Sequence, residues 1–203
     1  MNKIATLLLA FALPCLAQTA PNQGTVAGNQ TPANKKQAAG TDRNTDAQFA
    51  THVAQANMAE VALGKLAQEK AQSDDIKKFA QKMIDEHTKA EQDLEGIASK
   101  NNLTLPQDMS PQQKTQQERL SKLSGAQFDR AYMRMMVMDH TRVSNALQHE
   151  SRKVSANADL KDYATRMYPG VSDHLTMAKT IMATLQKGKN QSTESQSKKE
   201  VST

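Results

Sequence analysis

The sequence predicts an all-α fold: an antiparallel four-helix bundle made of two related helical hairpins, with a short extra helix in the central connection. Three observations carry this. Between residues 44 and 187, apolar residues recur at steps of three and four, the period of a helix with one buried face. Helix-start signals punctuate that stretch at Ser73, Ser110, Ser124 and Asn157. The first half also repeats in the second. The run Asp75 to Met83 matches Asp159 to Met167, Glu86-His87 matches Asp173-His174 across a short insertion, and Phe49 and Glu60 match Phe128 and Asp139. Two hairpins that each carry one apolar stripe bury it by packing together.

The elements follow in order. Met1-Asn2-Lys3 is a basic n-region and Ile4 to Leu13 an apolar segment too short to span a bilayer, so residues 1–17 read as a signal peptide cleaved after Ala17. The alternative is lipidation at Cys15, against which Pro14 stands where a lipobox has a small residue. The expectation is an exported, periplasmic protein, with envelope association through a lipid anchor as the alternative. Neither route leaves a transmembrane helix in the mature chain. Cleavage after Ala17 removes the only cysteine, which excludes thiol and disulfide chemistry. Residues 18–43 have the composition of a disordered linker, and residues 188–203 that of a disordered tail.

The first helix is expected from about Asp46 to Gln72, with Phe49, Val53, Ala56, Glu60, Leu63 and Ala67 on its seam. Ser73 caps a second helix ending near Asn101-Asn102, with seam residues Ile76, Ala80, Met83, His87, Ala90, Leu94 and Ile97. Ser110-Pro111-Gln112-Gln113 is a capping box with proline at the first helical position, opening a short polar helix to about Leu123. Ser124 to Gln127 offers a second box for a long helix reaching Val154, striped by Tyr132, Met136, Val143, Leu147 and Val154. Asn157 caps the last helix, whose seam runs Leu160, Ala164, Met167, Val171, His174, Ala178, Ile181 and Leu185. Pro169-Gly170 falls inside it and is expected to kink it. With 3% aromatics and no Trp, the core must be built from Leu, Ile, Val, Ala and the 11 Met residues.

Polar residues interrupt these seams. Glu60, His87 and His174 lie on apolar stripes, and Asp139 and His140 border the stripe between Met136 and Val143. Glu60 stands about 12 residues before the first hairpin turn and His87 about 14 after it, which at about 1.5 Å per residue puts them at one level within roughly 3 Å. Asp139, His140 and His174 share a level in the second hairpin by the same count. Buried acids and imidazoles without partners are costly, so they must pair with each other or with an ion. In one reading Glu60 and Asp139 hold His87 and His174 in a hydrogen-bonded layer that fixes helix register. In the other, Glu60, His87, Asp139, His140 and His174 supply ligands for a single transition metal ion, iron, zinc or copper.

A di-iron bundle wants a Glu three residues before each ligand His, and those positions are Ile84 and Val171. Ferroxidase and oxygenase chemistry are therefore disfavoured, while a mononuclear site from Glu60, His87, His140 and His174 remains chemically sound. Met133, Met135, Met136 and Met138 precede Asp139-His140, and Met58, Met83 and Met167 fall near the same level. Thioethers beside imidazoles suit Cu(I), although helical spacing alone explains them as core filler. His52 and His149 read as surface residues. The net charge of +5 is spread over interleaved charges of both signs, without a basic face carrying aromatic platforms, which argues against nucleic-acid binding. Phosphate loops, cysteine pairs and nucleophile–His–acid arrangements are missing from the sequence, so hydrolase and nucleotide-binding readings have no support.

The stretch Phe49 to Ala67, Met83-x-x-x-His87, Phe128-Asp129-x-x-Tyr132, Asp139-His140 and His174 together resemble the exported ferritin-like family known as domain of unknown function 4142. The resemblance covers about residues 44 to 187. It implies a ferritin-like bundle and a periplasmic or envelope location, and it brings no established activity. Three functions stay open: a non-enzymatic bundle whose His/carboxylate layer is structural or holds one metal ion, a metal-dependent redox protein handling iron or oxygen, and a Met/His copper-binding protein.

Overall fold

The structure, a computed structural model, describes residues 32–200, with side chains over 44–188. The expected signal peptide, its Cys15 alternative and the first part of the linker lie outside the described residues. Among the described residues there are five α-helices and no strand: α1 Pro32–Lys70, α2 Asp74–Lys100, α3 Pro111–Ser121, α4 Gly125–Arg152 and α5 Ala158–Glu200. Helix α1 packs along α2 and α5 along α4, and the two hairpins meet through α1 against α4 and α2 against α5. Short α3 lies against α1 and α4.

Two helices are longer than their seams require. α1 begins at Pro32 rather than Asp46, and α5 continues past Leu185 to Glu200. The first extension carries Ala and Lys and the second Gln, Lys and Glu, all good helix formers, and lengthening an existing helix is far easier than starting one. Pro169 sits within α5, where the helix continues on both sides of it. At the other extreme α4 stops at Arg152, so Val154, expected on its stripe, lies beyond the helix and is 97% exposed.

The helix starts show which capping signals work. At Ser110 the box forms in both directions, with the Gln113 amide N–H donating to Ser110 Oγ and the Ser110 N–H to Gln113 Oε1. Asn157 Oδ1 accepts from the backbone of Asp159 and Leu160. Ser73 and Ser124 occupy N-cap positions, yet neither hydroxyl makes a capping bond. Gly125 enters α4 at φ +54°, a left-handed value open to glycine, which gives that start a different geometry. At the turn before α2, buried Asp129 of α4 accepts from the N–H of Gln72 at 3.0 Å and of Ser73 at 3.1 Å. One carboxylate thus pins the α1–α2 turn to the other hairpin.

Packing within the first hairpin is close. A Cβ on Gly64 would stand 2.8 Å from Ile84 Cγ1 and 3.0 Å from the Ala80 carbonyl oxygen, so α1 can approach α2 this closely only with glycine there. The apolar interior forms two clusters. One contains Leu63, Ala67, Ile76, Phe79, Met83, Phe128, Tyr132, Met136 and Ala178. The other contains Phe49, Val53, Leu94, Val143, Leu147, Leu160, Tyr163 and Val171. Each fully buried side chain of this size contributes about 1.5–3 kcal/mol of transfer free energy.

Every long helix crosses from one cluster to the other, and the crossing falls at a polar residue. On α1 it lies between Ala56 and Leu63, on α2 between Met83 and Leu94, on α4 between Met136 and Val143, and on α5 between Val171 and Ala178. Asn57, Glu60, His87, His140 and His174 occupy those gaps, and all five are buried. A single polar layer therefore separates two greasy halves.

Candidate metal centre

Three imidazoles meet in this layer, His87 from α2, His140 from α4 and His174 from α5. Their ring centroids are 5.4 to 5.7 Å apart, and one nitrogen from each lies within 4.8 Å of the others. The rings are 5%, 1% and 2% exposed.

Each ring is oriented from behind. His87 Nδ1 lies 3.0 Å from Asn57 Oδ1. The Asn57 amide nitrogen is committed to Glu91 Oε2 at 3.1 Å and the Tyr163 hydroxyl at 3.5 Å, which turns its oxygen toward the imidazole. An amide oxygen only accepts, so His87 Nδ1 carries the proton and Nε2 has the lone pair. His140 Nδ1 lies 2.9 Å from the Met136 carbonyl oxygen, which likewise fixes the proton on Nδ1. His174 Nε2 donates to Glu86 Oε2 at 2.8 Å, leaving its lone pair on Nδ1. Glu86 is itself paired with Lys82.

The three nitrogens left over are His87 Nε2, His140 Nε2 and His174 Nδ1, and these are buried without a hydrogen-bond partner. Unsatisfied buried polar atoms each cost about 1–3 kcal/mol, so three such atoms in one place need an explanation. Burial pushes all three imidazoles toward the neutral form, His140 to a pKa of about 4, with the neighbouring rings adding to the effect at His87 and His140. Neutral imidazole with a free lone pair is the metal-binding state.

The acidic members of the expected layer take other places. Glu60 Oε1 lies 3.5 Å from His140 Nδ1, the nitrogen that faces away from the cluster. Burial, with the nearby Asp139 charge adding to it, holds the Glu60 carboxyl well above the usual carboxylate range, and its Oε2 has no partner. Buried Tyr132 also leaves its hydroxyl unpartnered, and burial followed by Glu60 raises its pKa. Asp139 is turned outward, with 23% of its side chain exposed and Oδ1 3.6 Å from Arg142. Glu60 and Asp139 therefore do not hold His87 and His174, as the structural reading expected. Asn57 and Glu86 do.

Of the methionines near this level, Met83, Met133 and Met136 are fully buried in the apolar cluster beside Phe79, while Met138 is 48% exposed. His149 is exposed, as expected. His52 is exposed too, and lines a cavity with Glu60, Asp139 and Arg142.

Helices that bring three buried histidines together, with no bridging carboxylate among the described residues, define a class: an all-α bundle able to hold a metal ion. The chain belongs to the family described as domain of unknown function DUF4142, whose model matches residues 30–181. No curated protein sequence matches it. Two solved structures share the fold. A DUF305 fragment from Deinococcus radiodurans superposes with a TM-score of 0.60 at 14% identity, covering 68% of this chain and 95% of that one. A DUF305 protein from Streptomyces coelicolor, described as a candidate secreted protein, gives 0.59 at 14% identity and covers 69% and 93%. At this identity the likeness speaks for the fold alone. No helix among the described residues is long and apolar enough to cross a membrane.

Proposed function

We propose that this chain is an exported, ferritin-like four-helix bundle that binds one transition metal ion through His87, His140 and His174. The observation that carries the reading is the set of three unpartnered ring nitrogens, each left free because its ring's other nitrogen is engaged. A purely structural layer would use those lone pairs in hydrogen bonds between the rings or with Glu60. The backing groups Asn57, Glu86 and the Met136 carbonyl are what a metal-ligating histidine has on its far nitrogen. Three neutral imidazoles suit zinc, copper or iron, and the missing carboxylate bridge speaks against a di-iron centre. The thioethers of Met83, Met133 and Met136 are accounted for by core packing, which weakens the copper-specific reading.

Export rests on the n-region, apolar segment and small-x-small site at the N-terminus. The mass of the mature N-terminus distinguishes a chain starting at Gln18 from one lipidated at Cys15.

The deciding experiment is metal analysis of protein isolated from the periplasm, repeated after chelation and reconstitution with zinc, copper or iron. One equivalent of a single metal is expected, lost in His87→Ala, His140→Ala and His174→Ala. Histidine variants that alter stability and never metal content would return the layer to a structural role.

A further inference from the structure

A cavity of about 420 Å³ reaches the histidine cluster from the side, between α2 and α5, and both His87 and His174 form part of its lining. Its walls are mostly apolar, from Val53, Ala90, Val143, Leu147, Met167 and Val171, with Asn57 and Tyr163 adding polar groups. At the mouth stand Glu86, Lys89, Asp93 and Arg166, with Arg166 and Asp93 paired at 3.5 Å across the two helices. Two positive and two negative groups at the rim favour neither sign of charge, and the apolar walls penalise any ion that sheds its water there.

We propose that this cavity delivers a small neutral molecule, with an apolar body and one lone-pair donor atom, to an open coordination position on the metal. The inference rests on the metal-centre reading above. Three protein ligands with a fourth position left to solvent or substrate are the arrangement of catalytic rather than structural metal sites. Carboxylates do not close the position from within, because Glu60 and Asp139 lie behind or outside the ligand rings. Such a cavity, about the size that takes small ligands, has no packing role to explain it.

The wall offers a way to block the route. Val171 is 7% exposed and lines the cavity, so Val171→Phe adds volume there. Gly170 lines it too, and a Cβ there would meet nothing within 4 Å, so Gly170→Leu grows into open space. The second variant keeps the test intact if the first fails to fold.

The experiment loads full-length protein with Co(II), whose visible spectrum reports coordination, and titrates it with 4-methylimidazole. The expected result is a saturable spectral change in the wild type. In the blocked variants Co(II) stoichiometry is unchanged and 4-methylimidazole binds weaker by roughly tenfold or more. A Co(II)-loaded wild type whose spectrum ignores 4-methylimidazole overturns the open position. Titration as tight in both blocked variants as in the wild type overturns the route. Failure of the wild type to take up Co(II) would instead remove the metal centre on which the inference stands.

Discussion

Replacing Asp129 by alanine removes two hydrogen bonds at once, from the backbone N–H groups of Gln72 and Ser73, at a carboxylate that is 3% exposed. Hydrogen bonds to a charged acceptor are each worth about 1.5–3 kcal/mol net, and the stranded amide groups of the α1–α2 turn find only partial relief in water. A loss of about 3–5 kcal/mol follows for Asp129→Ala, and about 2 for Asp129→Asn, which keeps one acceptor oxygen. At about 2–4 °C per kcal/mol for a chain of this size, the alanine variant should melt roughly 10 °C lower. The assay is thermal and urea unfolding of chelator-treated protein, with bound metal measured separately. Metal stoichiometry should not change, because Asp129 lies about 16 Å along α4 from His140. An Asp129→Ala protein within about 1 kcal/mol of wild type would refute the role of this carboxylate as the anchor of the α1–α2 turn.

Three further outcomes follow from other contacts. Asn57→Ala and Glu86→Ala leave the three candidate ligand histidines in place but release the rings of His87 and His174 respectively, so metal affinity should fall by roughly 10- to 100-fold, read by chelator competition. Gly64→Ala should destabilise the protein by about 1–3 kcal/mol in urea unfolding, since its methyl must displace Ile84 and meets the Ala80 carbonyl. The Glu150 carboxyl is raised by burial against the pull of Lys153, with the Asp46 charge adding to the rise. An acid raised on folding contributes a stability that is lost as pH climbs through its folded pKa. Glu150→Gln should therefore gain on wild type as unfolding is measured from pH 4 toward 7, and a constant difference would refute this.

The depth of the polar layer could be read from the sequence, because counting residues from the turns on both hairpins places the acids and histidines at one level. Which groups face each other could not. Asp139 and His140 are adjacent, about 100° apart around a helix, so only one can enter the centre, and the sequence does not say which. Asn57 shares a face with Val53 and Glu60 at helical spacing, a signal that an Ala-rich run makes easy to pass over. Glu86 stands out in the sequence as half of a repeated acid-His dipeptide. The imidazole it holds is that of His174 on α5, in the other hairpin, while Lys82 of its own helix pairs with the same carboxylate. Capping boxes show the same limit. Ser110 and Ser124 look alike locally, each with Gln three residues on, yet only Ser110 forms the box, since Gly125 turns the start of α4 to a left-handed φ.

His87 belongs to the first hairpin, while His140 and His174 belong to the second. An ion held by all three would therefore be a staple across the seam between the two hairpins, at the level where the apolar interior is interrupted. Loading would bind the two halves into one cooperative unit. Amide exchange in the α1–α2 pair should then slow together with that in α4 and α5, as though the metal had lengthened the core.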